Sequence, residues 1–145
     1  MEQWRNNLIE ETNGMLTVLR ETRRIAVLGI KPESDGEKAA YYVPAYMQRA
    51  GYEIIPVPVY YPEVTEILGR EVIRDLRSVP PPVDLVNVFR RPKDIDQHVD
   101  DMIALGPKAV WFQLGIRNDG AARRLAEAGI KVVQDRCIMV EHGRL

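Results

Sequence analysis

Residues 23–57 read RRIAVLGIKPESDGEKAAYYVPAYMQRAGYEIIPV, and the reading of this stretch decides the fold. IAVLG is continuously apolar and rich in branched side chains, as a strand covered on both faces must be. Gly29 stands where that strand ends. A polar loop follows, then EKAAYYVPAYMQRAG, which has the composition of a helix and closes on Gly51. Pro44 lies inside that helix and is expected to kink it or shift its start. YEIIPVPV is a second strand, with prolines that suit a strand end or a sheet edge. Strand, loop, helix, strand is the unit of a parallel sheet.

Reading outward, the same alternation continues. YYPEVTEILGREVIRDLRSVPPPV is a long connection, and Pro80, Pro81 and Pro82 make a stiff approach to a third strand, VDLVNVF. RRPKDIDQHVDDMIALG is a helix with Pro92 in its first turn, an apolar stripe of Ile95, Val99, Met102 and Ile103, and Gly106 at its end. PKAVWFQLG is strand four. NDGAARRLAEAG is a helix that Asn118 should cap. IKVVQD is strand five, and RCIMVEHGRL a short terminal helix. Before all this, NLIEETNGMLTVLRETRR has a helical apolar period through Leu8, Met15, Leu16 and Leu19, which Gly14 should break or fray. The sequence thus predicts an α/β, Rossmann-like three-layer fold. Its five-stranded parallel sheet is expected in the order 3-2-1-4-5, with a helical segment over 1–22 and one domain over 23–145.

Composition narrows the function. A formal net charge of -1, from 20 basic and 21 acidic residues, argues against a protein built to grip nucleic acid phosphates. Cys137 is the one cysteine, so no internal disulfide forms and no zinc spacing exists. MEQWRNNLIEET carries charge where a signal peptide would be apolar, and no apolar run reaches the ~20 residues that span a bilayer. A cytoplasmic protein without membrane contact is expected. A homo-oligomer or a protein partner is left open, with Trp4 and Tyr61 as apolar residues that could serve one.

Ligands of open α/β sheets bind beyond the carboxyl ends of the strands, here expected at a switch point between strands one and four. The residues that reach that edge are Gly29, Ile30, Lys31 and the loop to Lys38; Pro58, Val59 and Tyr60; Phe89, Arg90 and Arg91; Gln113, Leu114 and Gly115; and Asp135, Arg136 and Cys137. They suit an anionic ligand with an apolar part. Helix amides can take phosphate, Lys31, Lys38, Arg90 and Arg91 add charge-assisted hydrogen bonds, and Phe89 and Leu114 can bracket an apolar group. The dinucleotide fingerprint is absent, because Lys31 stands at its second glycine and Pro58, Val59 and Tyr60 stand where its acid would end strand two. The phosphate loop of ATPases fails at Ser34. His98, among Asp96, Asp100 and Asp101, reads as a solvated helix face, and no acid-base constellation emerges.

RRIAVLGI, GYEIIPV, VDLVNVFRRP, KAVWFQLGI and VVQDRCIMVEHGRL, in this order, resemble the small free-standing bacterial and archaeal CoA-binding proteins. These are relatives of the CoA-binding domain of succinyl-CoA synthetase alpha subunits. The resemblance covers Arg23 to Leu145. It implies coenzyme A as cofactor, with the pyrophosphate on Gly29, Ile30 and Lys31, and adenosine near Val57 and Pro58. It also implies Phe89, Arg90 and Arg91 close to the nucleotide, and a pantetheine path along Gln113, Leu114 and Gly115 toward Cys137. Binding of CoA or an acyl-CoA is implied, without ligase chemistry. The chain departs from the family in the bulky Ile30 and charged Lys31 of a long first loop. It departs again at Tyr60, where the family carries a base for the 3′-phosphate. The alternatives are a binder or sensor of NAD or an adenine nucleotide, and an interaction module without a ligand.

Overall fold

The computed structural model describes residues 2–145. Helix α1 is Thr12–Arg20, strand β1 Arg24–Leu28, helix α2 Ala39–Arg49 and strand β2 Glu53–Val57. Two short strands, β3 (Glu66–Ile67) and β4 (Arg70–Glu71), precede β5 (Leu85–Val88). Then come α3 (Asp96–Leu105), β6 (Ala109–Phe112), α4 (Asp119–Glu127), β7 (Lys131–Val133) and α5 (Ile138–His142). β2, β1, β5, β6 and β7 form one parallel sheet in that order. Residues of α1, α2 and α5 fill one of its faces through Met15, Leu19, Val43, Met47 and Ile138. α3, α4 and the turn at Leu76 fill the other through Val99, Met102, Leu125 and Leu76.

The α/β, Rossmann-like fold with five parallel strands is therefore present, and the strand order is corrected. Counted over the five long strands it is 2-1-3-4-5, the other common doubly wound order, rather than 3-2-1-4-5. The reason lies in the strands themselves. Pro56 sits in β2, opposite Val27. It has no N–H for a second neighbour, so β2 is suited to the edge. β5 is buried at all four positions and pairs on both sides, with β1 and β6. It belongs in the middle. The switch point consequently lies between β1 and β5, not between the first and fourth strands.

The long connection is more than an approach to β5. β3 and β4 pair antiparallel through a tight turn whose residues, Leu68 and Gly69, both have positive φ (54° and 73°), the backbone of a primed hairpin turn. Ile73 N–H donates to Pro56 O at 2.9 Å, and Arg70 pairs with Glu53 at 2.8 Å, so this segment covers the open edge of β2.

The amino-terminal period is broken at residues 8–11, ahead of Gly14, which lies inside α1. A 3-10 turn spans Gln3–Asn7, Leu8 bridges to Val132, and only then does α1 begin. A Cβ on Gly14 would stand 2.7 Å from Ile9 Cγ2, so glycine lets the chain fold back closely there. α2 keeps its helix through Pro44. The proline cannot donate to the carbonyl of Ala40, and the amide of Lys31 takes that carbonyl instead at 3.1 Å. The first loop is thereby fastened to α2. Among the described residues no helix is long and apolar enough to cross a membrane.

Candidate functional site

The ladder β2-β1-β5-β6 aligns the carboxyl ends of its strands, with Leu28 opposite both Val57 and Val88, and Val88 opposite Phe112. At the switch point Gly29 leaves β1 with φ +87°, its N–H on Val57 O at 2.9 Å, while Phe89 N–H reaches Leu28 O at 2.9 Å. A Cβ on Gly29 would stand 2.3 Å from the Phe89 carbonyl oxygen. Only glycine permits both the turn and the contact.

Beside this turn lies an open cleft of about 400 Å³, floored by Leu28, Val57 and Pro58 and walled by Val59, Leu76, Arg74, Asp75, His98 and Asp101. Arg90 is half-buried next to it. Its Nε donates to His98 Nε2 at 3.1 Å, its Nη1 lies 3.4 Å from the Tyr60 hydroxyl, and its guanidinium sits 5.7 Å from the centre of the Tyr60 ring. Arg74 turns its donors inward, to the carbonyls of Tyr60 (2.8 Å), Tyr61 (2.7 Å) and Val64 (2.7 Å). The first loop is tied to the same segment. Tyr61 donates its hydroxyl to Asp35, Leu68 N–H donates to Glu33 at 2.8 Å, and Gln48 donates to Leu68 O at 2.9 Å. That hydrogen bond to Asp35, with burial and the Asp35 charge, pushes the Tyr61 hydroxyl up to about 12.

The start of α2 has Lys38 at the capping position with no side-chain cap, and no acid in its first turn. The amides of Ala39 and Ala40 have no side-chain cap, an arrangement open to an anion.

The expected site residues separate into groups. Gly29, Val57, Pro58, Phe89 and Arg90 meet at the switch point. Ile30 is buried in the core, so only its backbone faces the loop, and Lys31 spends its amide on α2. Arg91 is exposed and pairs with Asp94 at 2.8 Å. Gln113, Leu114 and Gly115 follow β6, two strand spacings or about 10 Å from β1. Gln113 is buried, and its Oε1 accepts the amide of Ile138 at 3.3 Å. Leu114 is exposed, and Gly115 N–H donates to Asp135 at 2.7 Å. Cys137, half-buried, is the capping residue of α5.

His98 is corrected. It is half-buried on the wall of the cleft rather than on a solvated face. Burial, then the Arg90 charge, lower its pKa, against Asp101 and Asp94. The signal was legible: Ile95, His98, Val99 and Met102 share one helical period. Arg74 carried no such signal, because its role depends on where the loop at 60–64 returns.

A second cleft, of about 440 Å³, flanks β7 and holds Trp4 between Arg5 and Arg123. Arg5, Arg117 and Arg123 there pair with Glu2, Asp119 and Glu127, and Arg136 donates to the Asp135 carbonyl at 2.9 Å. It is also remote from the switch point, and the cleft at β1, β2 and α3 is the better candidate. Among the described residues no group of His, Cys, Asp or Glu is placed to hold a metal ion.

Comparison with known proteins shows the family of the chain. The family model described as a CoA binding domain matches residues 23–143. The uncharacterized protein YneT of Bacillus subtilis is 36% identical over 125 residues, 86% of this chain and 89% of that one. A solved structure from Thermus thermophilus is 39% identical, with a TM-score of 0.84 over 93% of this chain and 98% of that one. A dinucleotide-forming acetyl-coenzyme A synthetase of Candidatus Korarchaeum cryptofilum, solved with phosphate and ADP, has a TM-score of 0.66 at 19% identity. The match covers 81% of this chain and 26% of that one, a likeness of fold alone.

Proposed function

The chain belongs to the CoA binding domain family, and from that premise we propose that it binds coenzyme A, free or acylated, along the carboxyl edge of its sheet. The pyrophosphate rests on the turn at Gly29 to Lys31 and the start of α2. Adenosine lies in the cleft against Val57 and Pro58, and the pantetheine arm runs past Phe89 toward Gln113, Leu114, Gly115 and Cys137. The observation that carries this reading is the cleft at the β1–β5 switch point. Its volume of about 400 Å³ suits a nucleotide, and a half-buried arginine overlooks it. The reading assigns binding and no bond-making step. Of the ionisable groups at the cleft, Arg90 and His98 hold each other, Arg74 binds backbone carbonyls, and Asp75 and Asp101 hold Arg77 through its amide and its guanidinium.

Tyr60, at the position where a base is expected, favours a second reading: an adenine nucleotide without the 3′-phosphate. Calorimetric titration with CoA, dephospho-CoA and NAD in parallel separates the two. CoA is expected to bind, and Arg90→Ala to weaken it by about tenfold or more, the scale of one lost charge-assisted hydrogen bond. Binding of NAD alone would replace CoA as the ligand. Binding of none of the three would remove the site.

A further inference from the structure

Tyr60 leaves the expected place of a base filled by a phenol, yet a cation stands on it. The Arg90 guanidinium lies 5.7 Å from the centre of the Tyr60 ring and 3.4 Å from its hydroxyl. A guanidinium has five N–H donors, and two of Arg90's are engaged, by Tyr60 and His98. The other three have no hydrogen-bond partner among the described residues. Arg74, the other guanidinium there, spends its donors on three carbonyls, and Arg91 pairs with Asp94.

An arginine cannot lose its proton at ordinary pH. Its Nε therefore donates, and His98 Nε2 accepts at 3.1 Å only if that nitrogen is bare. His98 is thus neutral here, with its proton on Nδ1. Burial of His98 and the charge of Arg90 both favour that neutral form.

We propose that Arg90, held by neutral His98 and seated on Tyr60, is the cation that recognises a phosphomonoester on the bound nucleotide, the 3′-phosphate that distinguishes CoA from dephospho-CoA. This rests on the CoA reading above. Arg90 touches the ligand and His98 is a positioning residue. The base that the strand-two loop lacks is supplied by the loop after β5, and the rigid fork of arginine, steered through Nε, presents its outer edge to the phosphate.

The test is the ratio of CoA to dephospho-CoA affinity, measured by calorimetry at one pH on the full chain, its His98→Leu variant and its His98→Gln variant. The full chain is expected to prefer CoA by about tenfold or more. His98→Leu, which removes the acceptor, is expected to bring the ratio toward one while dephospho-CoA affinity holds, which also shows that the variant is folded. His98→Gln keeps an oxygen that can accept from Arg90 Nε and is expected to restore the preference. Equal affinity of the full chain for both nucleotides would overturn this inference and leave the CoA site standing. So would an unchanged ratio in His98→Leu. Failure of both nucleotides to bind would overturn the site itself.

Discussion

Asp84 shows how much one side chain can organise. Its Oδ2 accepts the amides of Arg23 and Arg24 at 2.8 and 2.9 Å, and Lys108 stands 3.7 Å from Oδ1. Burial pushes its pKa up, but the two amides and the lysine outweigh it, and the carboxyl ends below the usual range. The folded pKa is thus lower than the unfolded one, which is about 3.9. The stability this group adds is fully present above that value and is lost as pH falls through the folded pKa. Asp84→Asn is expected to lower stability by about 2 kcal/mol at neutral pH. It should also flatten the acid limb of the stability curve in denaturant titrations between pH 5 and pH 2, as ~2 pH units around the carboxylate pKa require. An unchanged acid limb would show that Asp84 is not the titrating group. Gly29 was visible as a residue ending a strand. That its missing Cβ clears the Phe89 carbonyl was not, since residues 29 and 89 meet only in the folded sheet.

At the scale of elements, the loop between β2 and β5 is held from inside. Arg74 binds three of its carbonyls, and Tyr61 and Leu68 hold positive φ (64° and 54°) without being glycine. Such backbone costs of order 1–3 kcal/mol per residue and persists where surrounding contacts over-determine it. Arg74→Met is expected to free the segment. Hydrogen exchange should quicken over residues 60–68, with a loss of about 1–3 kcal/mol in stability. Unchanged protection there would mean that Tyr61–Asp35 and the β3–β4 turn suffice. The helices, the long strands and the Asn118 cap were all legible in period and capping residues; Asn118 accepts from Ala121 N–H at 3.0 Å. β3 and β4 were not, because strands of two residues carry no period, and Leu68-Gly69 was the one local hint. Pro44 was expected to kink the helix or shift its start. The outcome, an Ala40 carbonyl handed to Lys31, depended on a loop packed beside the helix.

For the molecule as a whole, ligand and fold are linked. CoA present at 100 times its dissociation constant is expected to stabilise the folded chain by about 2.7 kcal/mol. For a chain of 145 residues that raises Tm by roughly 5–10 °C in a thermal melt. No shift at saturating CoA would contradict binding to the folded state. Much of this fold was determined by sequence alone. The five buried strands, the helices between them and the parallel sheet all follow from short-range patterns of apolar residues, glycine and proline. Strand order was decided by tertiary structure, since it depends on which edges pair across the chain, and Pro56 on β2 only hinted at the answer. The same holds for the cleft. Tyr60, Arg74, Arg90 and His98 come from a strand-two loop, a crossover, the loop after β5 and α3. Their contacts exist because β5 docks beside β1, a long-range choice that no local period encodes.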